Sequence, residues 1–186
     1  MNPTSNKSDF EDLTTNLKDL AYSYLEKYNP SKQQLKVYLL KKYLLKIKGT
    51  KSKKEVTSII DEIIASLEKN KLLNDEMYSD SKARMFLRRG YSLNKINQSL
   101  RNKGIEDKYV KKSIEKIKDN QIEPDFVSAL KLCKRRRIGP LRPNDNRELF
   151  YKKDMGVLAR GGFSFDLSKR VLDLDAQEFQ KLIKII

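Results

Sequence analysis

The chain has 186 residues and a mass of 21.8 kDa, enough for one domain near the upper size or for several small modules in series. Forty Lys and Arg against twenty-five Asp and Glu give a net charge of +15, which points to an anionic partner. With no His and a single Cys, the composition excludes His-based triads, His-containing metal sites, an intrachain disulfide and a cysteine-rich zinc or iron–sulfur site.

Pro occurs only at 3, 30, 124, 140 and 143, and Gly only at 49, 90, 104, 139, 156, 161 and 162. These breakers cut the chain into pieces of helical length, and extended period-two alternation is missing, so an all-α protein is expected. Residues 1–8 are expected to be a flexible N-terminus. A helix is predicted from Asp9 to Lys27, with Leu13, Leu17, Leu20, Tyr24 and Leu25 along one stripe and Ser8 with Glu11 as a capping box. Asn29-Pro30 breaks it. Ser31 with Gln34 opens a second helix through Leu35, Tyr38 and Leu39 toward Leu45. Lys46 to Lys54 is a basic connector. Ser52 with Glu55 then opens a helix whose apolar face is Val56, Ile59, Ile60, Ile63, Ile64 and Leu67.

The middle of the chain repeats this plan. A helix is predicted from Asn74 to Arg89, with Met77, Tyr78, Ser81, Met85 and Phe86 facing inward, ended by Gly90. Ser92 caps a short helix carrying Leu93, Ile96 and Leu100, which Gly104 ends. Residues 106–119 form a third, with Tyr109, Val110, Ile114 and Ile117 on one side. Residues 123–137 form an additional helix with Phe126, Val127, Leu130 and Cys133 inward. Its last turn, Arg135-Arg136-Arg137, suits the negative end of the helix dipole. Residues 139–146 read as a mobile Gly/Pro loop. Helices follow at Arg147–Arg160, at Ser164–Leu172, and after Asp175 with Glu178, where Phe179, Leu182 and Ile183 are apolar.

One pattern recurs. Tyr28-Asn29-Pro30-Ser31, Arg89-Gly90-Tyr91-Ser92 and Gly161-Gly162-Phe163-Ser164 each precede a short amphipathic helix. In the first two copies apolar residues fall four and eight after the serine, and the third is looser. Repetition of one supersecondary unit predicts three tandem three-helix modules at 9–73, 74–120 and 147–186, with residues 121–146 as a linking helix and loop.

Nothing in the pattern reads as an active site. Asp75-Glu76 and Asp173/Asp175 sit at helix starts and turns, where capping explains them. Gly161-Gly162 lacks the Gly and Lys-Ser/Thr that a phosphate-binding loop needs. Cys133 lies in an apolar stripe. No catalytic, cofactor or metal residue is assigned, and no cofactor is expected. No signal peptide is seen in residues 1–11 and no apolar run approaches the roughly 20 residues that span a bilayer, so a cytoplasmic protein with no membrane contact is expected.

The positive charge lies in the interior of the sequence. Residues 120–142 hold six basic and two acidic residues, whereas residues 1–30 hold three and five. Arginine forks suit phosphate or carboxylate better than lysines do. The partner-binding candidates are Arg84, Arg88, Arg89, Lys95, Arg101, Lys103, Arg135, Arg136, Arg137, Arg142, Lys152, Lys153 and Arg160. Arg88, Arg89 and Lys103 flank the central turns, and Arg135 to Arg137 precede the Gly/Pro loop. Charge by itself does not choose between nucleic acid and an acidic protein surface.

Two motifs do choose. Leu72-Leu73-Asn74-Asp75-Glu76-Met77-Tyr78, followed by Arg88-Arg89-Gly90-Tyr91-Ser92, Ile96, Leu100 and Lys103-Gly104-Ile105, resembles the central repeat of the bacterial RecX regulatory proteins. Leu158-Ala159-Arg160-Gly161-Gly162-Phe163-Ser164-Phe165-Asp166 resembles that family's Arg-Arg-Gly-Phe-Ser segment, with Gly161 in place of the second arginine. Tyr78-Ser79 replaces the family's usual Phe-Ala pair. The resemblance covers about residues 18–183. It implies an elongated, curved array of three three-helix units that binds the RecA recombinase and its filament on single-stranded DNA. It further implies a monomer that modulates, most often inhibits, ATP hydrolysis and strand exchange, with weak direct DNA binding as a possibility. A helix-turn-helix DNA-binding regulator is the alternative. The 106–119 helix argues against it, since Lys and acids there are poor readers of base edges.

Overall fold

The computed structural model describes the backbone of residues 3–46 and 52–185 and the side chains of residues 11–45 and 52–185. Ten α-helices occur among the described residues, and no strand. They are α1 (Pro3–Lys27), α2 (Lys32–Lys46), α3 (Lys53–Lys69), α4 (Asp75–Arg88), α5 (Leu93–Arg101), α6 (Asp107–Asn120), α7 (Pro124–Arg136), α8 (Asn144–Arg160), α9 (Phe165–Leu172) and α10 (Ala176–Ile185). The all-α expectation holds. Residues 47–51, most of the basic connector, lie outside the described residues. α1 already runs through residue 8, so Ser8 lies inside the helix and not at its start.

By its packing the chain divides into two units. One comprises Met1–Tyr78 and Lys103–Glu106, the other Ser79–Asn102 and Asp107–Ile186.

The first unit is built on α3. Its Val56, Ile59, Ile60, Ile63, Ile64 and Leu67 are spaced at three and four, so all six fall on one face and are buried. Leu13, Leu17 and Ala21 of α1 and Leu35, Leu39 and Tyr43 of α2 close on that face. Ser52 and Glu55 form the expected reciprocal capping box at the start of α3. Ser31 and Gln34 do the same for α2: Gln34 N donates to Ser31 Oγ (3.2 Å) and Ser31 N to Gln34 Oε1 (3.1 Å).

Asp75 departs from its expected role. It does not cap its own helix. Asn74 does so, its Oδ1 accepting from Met77 N at 3.0 Å. Asp75 is buried and accepts instead from Lys32 N, the first helical amide of α2, at 2.9 Å. Its second oxygen, Oδ2, has no hydrogen-bond partner. Burial pushes the Asp75 carboxyl above its ordinary value of 3.8, outweighing the interactions with Lys32 that favour the ionised form. A folded-state value raised above the unfolded one means stability that is fully present below about 3.9 and is lost as pH rises through the folded value. Asp75→Asn keeps an acceptor for Lys32 N but never ionises. The difference in unfolding free energy between wild type and this variant is therefore expected to move against wild type as pH rises from about 4 toward neutrality. Urea unfolding across that range checks it, and a difference that stays flat would refute it. Asp75→Ala is expected to cost about 0.5–2 kcal/mol as a lost cap.

In the second unit the buried face of α4 is Ser79, Ala83, Phe86 and Leu87. Met77 (70% exposed) and Ser81 were expected inward and are exposed. The reason is polar. Ser79 Oγ lies 2.8 Å from Ser113 Oγ of α6, and Ser113 Oγ donates to Asp80 Oδ1 at 2.6 Å. These hydroxyls satisfy one another inside the helix pair, so the face carrying them can turn inward. Asp80 also binds Lys116. Burial pushes Asp80 up, but its Lys116 and Ser113 partners outweigh burial and hold the carboxyl below its ordinary value.

The turn after α4 lies close against α7. Gly90 has φ +71°, and a Cβ there would stand 2.7 Å from both Leu132 N and Ser128 O. The start of α5 is then held from several sides. Ser92 Oγ accepts from Lys95 N (3.1 Å), Ser92 N donates to Gly161 O (3.1 Å), and Leu93 N donates to Asp125 Oδ1 of α7 (2.7 Å). The pairs Lys32–Asp75 and Leu93–Asp125 are the same device. In each, the residue after the capping serine donates to an aspartate at the start of a later helix.

The remaining core gathers Ala129, Leu130, Leu132 and Cys133 of α7 with Leu158, Phe163, Val171, Leu172, Phe179 and Ile183. The segment 139–146 is not simply a loop. Gly139–Leu141 forms a 3-10 turn in which Gly139 and Pro140 are buried, and α8 begins at Asn144, three residues before the expected Arg147. Pro143 precedes the first helical residue, where a missing N–H costs nothing. The buried carboxylate of Asp154 ties the turn down. It accepts from Gly139 N at 2.9 Å and from Arg142 Nε and Nη2 at 2.6 and 2.7 Å.

Candidate anion-binding surface

Two depressions in the second unit gather basic residues. α5 is amphipathic: Ile96 and Leu100 are buried, which leaves its polar residues facing out. Asn94, Lys95, Asn97, Gln98, Arg101 and Asn102 form one wall of a groove of about 790 Å³, and Ala159, Arg160 and Gly162 at the end of α8 form the other. None of these lining residues is acidic. Gly162 has φ +89°, and a Cβ on it would come within 2.4 Å of Ser92 Oγ and 2.9 Å of Lys95 Cβ. That close approach brings the end of α8 to α5.

The second depression, of about 400 Å³, is bounded by Tyr91, Arg135, Arg136, Arg142, Lys153, Val157 and Arg160, over a floor that includes Leu132 and Ile138. Asp154 is its acid, and its carboxylate is engaged by Arg142 in a two-toothed pair. That pairing first, against a smaller cost of desolvation, raises Arg142 above its ordinary value. The Arg142 guanidinium also lies 4.5 Å over the Phe150 ring. Its fork is therefore committed within the fold. Arg160 borders both depressions.

The structure thus brings together Lys95, Arg101 and Arg160 in one groove, and Arg135, Arg136, Arg142, Lys153 and Arg160 in the next. The other candidates lie elsewhere. Arg84 borders a pocket of about 330 Å³ with Asp80, Leu87, Lys116 and Gln121. Lys152 lines a shallow site with Arg147, Tyr151 and Asp173. Arg88, Arg89 and Arg137 are exposed, and Arg137 is the left-handed C-cap of α7. Lys103 belongs to the first unit, where its carbonyl accepts from Ser31 Oγ at 2.8 Å. Arg101 is paired with Asp107 at 3.1 Å. The four amides of the α5 segment were missed by a reading based on charge. Their signal was the density of Asn and Gln on the outer positions of one short helix.

The Cys133 thiol is buried, and burial, with a lesser effect of Asp154, pushes it up to about 12. A thiol so held carries little of the reactive thiolate at neutral pH. Among the described residues no cluster of three or more acids or cysteines is arranged to hold a metal ion, and no helix is long and apolar enough to cross a membrane.

The chain is 35% identical over 162 residues to the regulatory protein RecX of Myxococcus xanthus, covering 86% of this chain and 85% of that one. It is 26% identical over 113 residues to the regulatory protein RecX of Agrobacterium fabrum, covering 61% and 58% of the two chains. With the regulatory protein RecX of Corynebacterium efficiens it shares 32% identity over 123 residues, 62% of this chain and 57% of that one. No family model matches the chain, and no solved structure matches it.

Proposed function

The chain belongs to the RecX family of regulatory proteins, and on that basis we propose that it is a non-enzymatic regulator of recombination. In this reading it binds a RecA-type recombinase filament on single-stranded DNA and lowers its ATP hydrolysis and strand exchange. The observation that carries the reading is the convergence of Lys95, Arg101, Arg135, Arg136, Lys153 and Arg160 on two adjoining depressions of one unit. A nucleoprotein filament presents both phosphates and acidic protein surface, and such a set of long cationic side chains suits both. Regulation then needs no bond-making. A guest that spans neighbouring protomers can hold a filament in its active spacing or push it out of it. The protonated, buried Cys133 and the committed Asp154 fit a protein that binds without catalysing.

The test is retention of the protein on assembled recombinase filaments, beside recombinase alone and single-stranded DNA alone, together with filament ATPase. Wild type is expected to be retained on filaments and to slow hydrolysis. The variant with Arg135, Arg136 and Arg137 all changed to Ala is expected to fold normally, since exposed charges contribute little to stability. It should need more protein for the same inhibition and show a shallower salt dependence. The matching set at Arg88, Arg89 and Lys103 is measured beside it. If both variants inhibit at wild-type concentrations at every salt, these charges are only solvated surface. If wild type is not retained on filaments, the reading fails altogether.

A further inference from the structure

The geometry points to direct binding of one nucleic-acid strand in the groove between α5 and the end of α8, with cations holding the backbone and α5 amides meeting the bases. This deepens the regulator reading and rests on it only in that a recombinase filament supplies such a strand.

Chemistry distinguishes a strand from an acidic protein surface. A carboxylate-rich surface asks only for donors, and lysines and arginines would suffice. Here Asn94, Asn97, Gln98 and Asn102 stand among Lys95, Arg101 and Arg160. Each amide offers a donor and an acceptor side by side, the pattern that matches base edges. Asn94, Gln98 and Arg101 follow one another at four and three along α5, so they share one outward face. All three are exposed. Asp107 engages two nitrogens of Arg101, Nε at 3.1 Å and Nη2 at 3.2 Å. These use two of the five guanidinium N–H groups and leave three for a phosphate.

Shape distinguishes a strand from a duplex. A helix that reads duplex DNA must stand proud enough to enter the major groove. The polar face of α5 is instead one wall of a concavity, and Arg160 and Gly162 are the other. A single strand, with its bases free to turn, fits such a channel. Arg160 also borders the depression that holds Arg135, Arg136 and Lys153, so the cations follow a continuous path for the backbone beyond the groove.

The test is fluorescence anisotropy of a labelled oligothymidylate and of a duplex of equal length, each titrated with the full chain at several salt concentrations. Wild type is expected to prefer the single strand. Changing Lys95, Arg101 and Arg160 together to Gln should weaken that binding by about tenfold or more. It should also flatten the slope of log K against log salt by about 2, at roughly 0.7 for each phosphate no longer neutralised. Asn94→Ala with Gln98→Ala should weaken binding several-fold with the slope unchanged. Melting of each variant is followed, and the single Arg160→Gln variant serves if the triple variant melts early. The inference is overturned if the charge variants bind like wild type, if the amide variant binds like wild type, if the duplex is preferred, or if polyglutamate competes as well as the oligonucleotide charge for charge. Retention on recombinase filaments separates the two readings. A chain retained on filaments that binds no free oligonucleotide refutes the groove and leaves the regulator. A chain that binds the oligonucleotide through the groove yet ignores filaments upholds the groove and refutes the regulator.

Discussion

Asp154→Ala is expected to lower the unfolding free energy of the second unit by about 1–3 kcal/mol, the usual result of leaving a buried donor without its acceptor. Asp154 is 1% exposed, and the Arg142 side chain is 20% exposed. Loss of the carboxylate leaves the part-exposed Arg142 guanidinium with no anion and takes away the acceptor of the buried Gly139 N–H. Both penalties fall on the 3-10 turn between α7 and α8. Arg142→Ala should be costly for the opposite reason, since it leaves the Asp154 carboxylate buried without its cation. The joint change of Asp154 to Leu and Arg142 to Met should recover much of the loss, because neither charge then has to be desolvated. Urea unfolding of the three variants measures the pattern. A loss below about 1 kcal/mol for Asp154→Ala would put the pair in the class of exposed ion pairs and contradict its burial.

Leu100→Ala is expected to cost about 2–5 kcal/mol. The side chain is fully buried, and α5 has only nine residues, so Ile96 and Leu100 are the two buried residues that hold it down. α5 packs on α6 and carries the amides and cations of the groove on its other side. A helix of two and a half turns does not persist in water without such packing. Binding is therefore expected to fall with folding, and oligonucleotide affinity measured below the new transition temperature should return toward wild type. A variant that melts like wild type would show that Leu100 does not face inward.

Local sequence was enough to specify the helices, most of their caps and the basic character of the protein. Ser31 with Gln34, Ser52 with Glu55, Ser92 and Ser164 cap the helices that their spacing predicts. Such bonds span three or four residues, so the information for them is local. The same holds for the α3 stripe, where apolar periodicity and the buried face coincide. The excess of Lys and Arg over Asp and Glu was visible from composition, as was the absence of any His.

Whatever depends on partners distant in the chain was settled by packing instead. Asp75 reads as a cap for its own helix, yet it serves α2 from 43 residues away, and Asp125 serves α5 from 32. The inward face of α4 was set by Ser79 meeting Ser113, a pairing that no periodicity of α4 encodes. Arg142 reads like any other cation until Asp154 is found beneath it. Arg160 becomes part of one surface with Lys95 and Arg101 because the Gly161-Gly162 turn lies against the start of α5. In each case a local pattern offers several faces or partners of similar worth. Burial selects among them, because a buried polar group must find its complement wherever the chain supplies it.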